Sequence, residues 1–590
     1  MSARTFIAPS IVLVLAAACT LPELPAETSA SASASGGGDP PGQQEPSVPP
    51  EEAAECTKLH ATTEGLLREK CAGCHDNGNN QGNLGEITDL DQLVARGVIT
   101  RGSAEDSVLY GKVERQEMPQ GGVPLTTTEL DTLADWINTC TVLDDESEDI
   151  SLDEAPGCTD NPYLGTDDVL AAIRDDIVRL DKTQAQTTRY LTISHLGSAG
   201  YCEAQIEGYR HALVKLLNHL SQEPEIRSPL AIDEARTIYR IDLDDYGWDV
   251  DTWRAITDAD PYAITFLSED ALDIQADADV ELFSVKGDWF LDAASQPPLY
   301  HTILKIPDTR FLLEESLGVD VQGNIDAELA TDSDKLVRAG FKQSKVSDFN
   351  RVIERHQRPI ANRAYWLSYD FGSNNDIKSI FDHPLDFKQD GGEIIFHLPN
   401  GLQAYMLVDK DGKRLDRGPD NVVHDEETPE EPIVINGLSC MSCHSEGMRL
   451  ARDEIADVVA GNTAFSTVEQ EQVARLYASA ESFGRKQQQD VETFAQALAE
   501  TGAPSRVGKH EPIMAAHLAF NLPIDLRRAA AEFGLRDTEL LKNLGNLQGL
   551  GQLDRTTVDR ETFQVNFATN ACRLNLGRTL AAECVADSQE

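Results

Sequence analysis

The chain has 590 residues, with 50 Lys and Arg against 100 Asp and Glu, so its formal net charge is −50 and its pI lies near 4.5. An excess of acid on that scale excludes a nucleic-acid binder, which must neutralise phosphates with clustered Lys and Arg. At 41% hydrophobic residues the chain can bury ordinary cores, and its length fits roughly three or four domains of about 150 residues.

In chain order, residues 1–18 read as an export signal, with Arg4 followed by an apolar run from Phe6 to Ala18. The run is too short to span a bilayer, and no later stretch reaches the roughly 18 apolar residues of a spanning helix. The segment "LAAAC", ending at Cys19, resembles the lipobox of bacterial lipoproteins, although Ala16 stands where such boxes carry Leu. The resemblance implies a lipid on Cys19 and, with Thr20 rather than Asp next, an outer-membrane position; a plain signal peptide cleaved at an Ala-rich site is the alternative. Residues 19–55, centred on "SASASASGGGDPPGQQEPSVPP", form a flexible tether of about 30 Å root-mean-square reach.

Residues 56–142 pattern as a small all-helical domain, with helices near 58–74, 88–97 and 103–115. A closing helix in "PLTTTELDTLADWINTC" opens on a Thr126–Glu129 capping box. Residues 143–159 are an acidic linker. Residues 160–435 read as a mixed α+β region whose clearest β signal is a hairpin or meander near 393–414, punctuated by Asn400–Gly401 and Asp411–Gly412. Trp248, Trp253, Trp289 and Trp366 are assigned to its core. Residues 436–535 read as a helical haem region with a capping box at Ser466–Glu469, and residues 536–590 as a helical tail. The expected fold class is therefore mainly α, with the mixed region between two helical ones.

Two pentapeptides carry the chemistry: "CAGCH", Cys71 to His75, and "CMSCH", Cys440 to His444. C-x-x-C-H is the attachment signal of c-type haem. Two thiols about one helical turn apart can add to the two vinyl groups on one porphyrin edge, which leaves the following His beneath the ring as an iron ligand. Composition alone would yield only about 0.005 matches to this pattern. Structural zinc is the competing reading of paired C-x-x-C clusters. The expected cofactors are two covalently bound haems c, held by Cys71, Cys74 and His75 and by Cys440, Cys443 and His444.

Met118 lies in the loop "QEMPQGGVPL", 43 residues after His75, where it can reach over the opposite haem face. With Cys71, Cys74, His75, Met118, Pro119, Trp136 and Ile137, the segment from Cys56 to Cys140 resembles the planctomycete-type cytochrome c domain. That resemblance implies His75 and Met118 as axial iron ligands. The stretches "GDWFLDAASQPPLYHTILKIP", "AYWLSYDFGSNN", "GGEIIFHLPNGLQAYMLVDKDGKRLDRGP" and "NGLSCMSCHSEGM" resemble large bacterial proteins known only as cytochrome c domain-containing. The likeness implies that residues 185–535 form one module around the second haem, and carries no activity with it.

At the second motif Met441 and Met448 sit too near His444 in sequence to cross the ring. The distal donors left are His301, His397, Met406, Met514 and His517, with His301 first, or an open iron. Besides Cys19 and the four motif cysteines, six remain, and the expected disulfides are Cys56–Cys140, Cys158–Cys202 and Cys572–Cys584. The favoured function is an exported dihaem cytochrome exchanging electrons with a redox partner, which the acidic surface marks as basic. A dihaem oxidoreductase or peroxidase with substrate at an open second haem, and a haem-based redox sensor, are the alternatives.

Overall fold

The computed structural model describes residues 50–75, 87–88, 90, 93, 98–100, 102–105, 107–116, 118–119, 123–141, 151–152, 157–158, 161–331, 333–342, 349–360, 362–419, 433–477 and 479–579. The expected export signal, Cys19, nearly all of the tether, most of the acidic linker and Cys584 lie outside these residues.

The first helices are α1 (Pro50–Lys70), α2 (Ala72–His75), α3 (Val108–Glu114) and α4 (Thr127–Asp135), and α4 runs on through a π turn to Cys140. The Thr126 capping box is formed: the Glu129 amide donates to the Thr126 hydroxyl and the Thr126 amide to the Glu129 carboxylate, at 3.3 and 2.6 Å. Helix α4 and its π turn lay Leu133, Trp136 and Ile137 against Leu66, Leu67 and Cys71, making a core separate from the rest of the protein. Lys70 pairs with Glu129 at 3.2 Å, and the disulfide Cys56–Cys140 closes the same unit.

Beyond residue 160 the chain builds three sheets, and this overturns the expectation of a mainly α protein with one short hairpin. Strands β1 (Thr188–Thr192), β2 (Leu230–Ala231), β3 (Ile238–Asp242) and β5 (Ser284–Lys286) form a mixed sheet in the order β2-β3-β1-β5. Strands β6 (Leu336–Phe341), β7 (Arg351–Gln357), β8 (Ala364–Asp370), β9 (Gly391–His397), β10 (Gln403–Asp409) and β11 (Arg414–Leu415) form an antiparallel sheet in the order β11-β10-β9-β8-β7-β6. The meander at Asn400–Gly401 and Asp411–Gly412 exists, but as one edge of that sheet.

The larger part escapes period-2 reading because both faces are covered. Every residue of β8 is buried, so apolar residues do not alternate with solvent-facing ones. Its neighbours carry charges that look external in sequence and are internal in space. Arg338 donates to Glu354 at 2.6 Å across β6 and β7. Arg355 holds Asp490 through two hydrogen bonds of 2.8 and 2.9 Å. Trp248, Trp253, Trp289 and Trp366 are all buried, as expected of core residues.

The expectation of a helical C-terminal haem region fails as well. Helices α5 (Leu438–Cys443), α6 (Ala480–Thr501) and α7 (Pro512–Phe520) are present, and the Ser466–Glu469 capping box is formed. Yet Glu393 and Tyr405, which flank His444, come from the six-stranded sheet. The last strand, β12 (Arg578–Thr579), pairs antiparallel with β4 (Ile264–Thr265), a contact no local pattern announces. Cys158–Cys202 is a disulfide, and Cys572 is disulfide-bonded.

Candidate functional site

Cys71 to His75 form one helical turn continuing from α1: the Cys71 amide donates to Leu67 O at 2.8 Å and the His75 amide to Cys71 O at 3.1 Å. An i, i+4 spacing puts Cys71 and His75 on one face, and both are buried. The Cys74 side chain lies outside the described residues. Met118 is half-buried and packs against the core that encloses Cys71, its amide donating to Lys112 O at 3.2 Å. The first site thus brings a buried imidazole, a buried cysteine and a thioether to one small core.

The second site sits on α5, whose residues 438–442 are buried. Cys440 and Cys443 are thiols. Burial, and then the Glu393 carboxylate, push the Cys440 thiol well above its ordinary range. His444 Nδ1 lies 2.9 Å from Gly447 O. A carbonyl only accepts, so Nδ1 carries the proton and Nε2 keeps its lone pair, the tautomer required of an Nε2 metal ligand. Burial holds the ring neutral. Gly447 makes this possible: its φ is +95°, and a Cβ there would stand 3.0 Å from the Phe494 ring.

Nε2 of His444 faces Glu393 Oε1 at 3.8 Å, beyond hydrogen-bonding distance. The Tyr405 ring stacks on the imidazole at 5.8 Å between centroids. Glu393 and Tyr405 share a face of the sheet because Tyr405 pairs with Ile395, two residues along β9 from Glu393. Arg351 donates to the other Glu393 oxygen, Oε2, at 3.0 Å and lies 2.7 Å from Asp370. Sequence reading did not single out Glu393 or Arg351. The available signal was a glutamate at an inward position of the apolar strand "GGEIIFH".

Of the remaining expected donors, Met514 is buried on α7, which packs against α5. Met406 pairs with Ile394 and so points to the opposite face of the sheet. His397 is four residues along β9 from Glu393, about 13 Å in an extended strand, and its Nδ1 accepts from the Ala364 amide at 3.0 Å. His517 is paired with Asp292 at 2.7 Å. His301, the leading expectation, does reach the neighbourhood of Cys440, through Asn436. Asn436 Nδ2 donates to His301 Nε2 at 2.6 Å, while its Oδ1 lies 3.9 Å from Cys440 Sγ. That contact engages the nitrogen a metal would need. Burial, with Arg414 nearby, lowers the His301 pKa to about 4.

The two motifs are linked in space. His60 on α1 contacts Glu446, two residues past His444, at 3.1 Å. Gly65, one turn further on, lies against Gln488 of α6. Helix α1 leads directly into Cys71, so one rigid element connects both sites.

Among the described residues no three His, Cys, Asp or Glu side chains converge as a site for a bare metal ion. A structural zinc takes four protein ligands. Haem iron, held by its own ring nitrogens, asks the chain only for axial donors. The donors present, thiols beside a neutral imidazole with a pinned Nδ1 proton, fit a c-type haem at the second motif. The first motif offers the same residue types. Among the described residues no helix is long and apolar enough to cross a membrane. Comparison with protein-family models, with curated proteins and with solved structures finds no match.

Proposed function

We propose that the protein is an exported dihaem c-type cytochrome that passes electrons between two covalently held haems and a partner protein. The observation that carries this reading is His444, whose Nδ1 proton is fixed on Gly447 O, which leaves the Nε2 lone pair available on a residue that directly follows Cys440 and Cys443 in α5. Cys71, Cys74 and His75 would hold the first haem, with Met118 as its sixth ligand; Cys440, Cys443 and His444 would hold the second.

Haem supplies reversible one-electron chemistry at iron, and the chain sets where it happens. The thioether of Met118 is a soft donor that favours ferrous iron, which makes the first site the higher-potential one. Around the second site the chain supplies charged groups instead, with Glu393 near the imidazole, Arg351 on Glu393 and Asp370 on Arg351. The contact from α1 to Glu446 supports exchange of electrons within one chain. Two disulfides support an oxidising compartment, and the proposed lipid at Cys19 would tether the protein at the outer membrane. The net charge of −50 favours a basic redox partner.

The test is electrophoresis under denaturing conditions after production in an exporting host able to mature c-type haem. Haem stain that stays with the full-length band supports thioether attachment. A band without stain refutes the reading.

A further inference from the structure

We propose that Lys215, His219, Gln403 and Glu511 form a binding site for one internal water molecule, next to the tyrosine that stacks on His444. The inference concerns the chain itself and does not rest on the dihaem reading. All four residues are buried, at 0 to 2% exposure. Lys215 and His219 stand four residues apart on the helix Glu203–His219 and so share one of its faces. That helix packs against α7, whose N-cap is Glu511, and Lys215 Nζ lies 2.9 Å from Glu511 Oε1. His219 Nδ1 lies 2.9 Å from the main-chain oxygen of Gln403, the first residue of β10. The Gln403 side chain shares a face of that strand with Tyr405, whose hydroxyl lies 3.5 Å from Gln403 Oε1.

The hydrogen-bonding capacity left over in this group has a definite pattern. A carbonyl only accepts, so His219 Nδ1 carries the proton. Burial, and then the Lys215 charge, lowers the pKa of the ring to about 3, which keeps it neutral and leaves Nε2 as an acceptor. Glu511 Oε2 accepts the Ile513 and Met514 amides at 2.9 Å each, and Oε1 is the oxygen turned to Lys215. That ion pair is close but not aligned as a hydrogen bond, and Lys215 Nζ has three protons to place. Among the described residues, none makes a hydrogen bond to Lys215 Nζ, Gln403 Nε2, His219 Nε2 or Glu511 Oε1.

Buried polar groups are almost always satisfied, and this set offers two donors and two acceptors. An anion there would meet the Glu511 carboxylate, and a cation would meet the Lys215 ammonium. A neutral molecule that donates twice and accepts twice fits the set, and the burial restricts it to the size of water. Two to four such partners are what an internal water takes. Bound there, it would complete the hydrogen bonding of the Lys215–Glu511 pair and of Gln403, the residue that meets the Tyr405 hydroxyl.

The experiment is a crystal structure of the full-length protein at a resolution that shows individual waters, with Gln403→Met solved beside it. In the unmutated protein one solvent peak should stand about 2.7–3.2 Å from at least three of the four atoms. Gln403→Met puts a methyl group where the amide nitrogen stands. A methyl needs about 3.5–4.0 Å to its neighbours, so the peak should be displaced while the Lys215–Glu511 pair stays. Oxygen-17 relaxation dispersion, which reads long-lived internal waters in solution, should report one fewer in that variant. An unmutated structure with no peak among the four atoms overturns the proposal, and so does a peak at the metal-ligand distance of about 2.0–2.2 Å. A peak that survives unmoved in Gln403→Met overturns the assignment of Gln403 to the site.

Discussion

Replacing Gly447 with Ala isolates the backbone turn that aims His444. Two costs can be worked from the structure. At a φ of +95° any L side chain is strained, at about 1–2 kcal/mol. The added Cβ would also stand 3.0 to 3.1 Å from three atoms of Phe494, which is fully buried and has no space to yield. Overpacking of that kind costs about 1–3 kcal/mol. The combined loss is about 2–5 kcal/mol. Gly502 is the control: its φ is +70°, yet nothing lies within 4 Å of where its Cβ would be, so Gly502→Ala pays only the backbone part. Urea unfolding followed by tryptophan fluorescence gives both losses as midpoint shifts at constant slope. Gly447→Ala should exceed Gly502→Ala by about 1–3 kcal/mol. Equal losses would mean that Phe494 moves aside and that Gly447 is not sterically required.

Met118→Ala should abolish the sulfur-to-iron charge-transfer band near ~695 nm of a Met-ligated ferric haem and lower only the higher of two redox waves; a retained band would remove Met118 from the iron. Opening the disulfide by joint Cys56→Ser and Cys140→Ser substitution frees a loop of 84 residues, which in the chain-entropy treatment costs about 4–5 kcal/mol at most. Calorimetry should show the first module melting earlier, and an unmoved transition would refute the bracing role. Burial pushes the Asp260 carboxyl up to about 7, against the lowering effects of the Tyr262 amide and Lys286. The folded protein then holds one more proton than the unfolded chain between pH of about 4 and 7, so stability falls as pH rises through that window, by at most about 4 kcal/mol. Asp260→Asn should gain stability over the unmutated protein at pH 8 and gain none at pH 4, and equal pH profiles would contradict this.

What sequence reading recovers here is local or covalent. The Thr126 and Ser466 capping boxes, the Asn400–Gly401 turn and the pairs Cys56–Cys140 and Cys158–Cys202 all depend on short spacings or on cysteine arithmetic. What it loses is non-local. Strands β7 and β8 hide their period because Arg355, Glu354 and His356 are charged or polar residues at inward positions, satisfied by Asp490, Arg338 and Asn324. At the second site, three of the attachment and ligand assignments, Cys440, Cys443 and His444, sit within one pentapeptide. Glu393 precedes His444 by 51 residues and meets it only because the sheet register sets β9 beneath α5. His301 was singled out from a sequence stretch and does approach the motif, but as the partner of Asn436.

The central claim is two covalent haems on one chain, and haem stoichiometry by pyridine haemochrome on purified protein tests it most directly. The account predicts two haems per chain, one after joint Cys440→Ala and Cys443→Ala substitution, one after joint Cys71→Ala and Cys74→Ala substitution, and none when all four are replaced. A value of one in the unmutated protein, or zinc in place of iron, would contradict it.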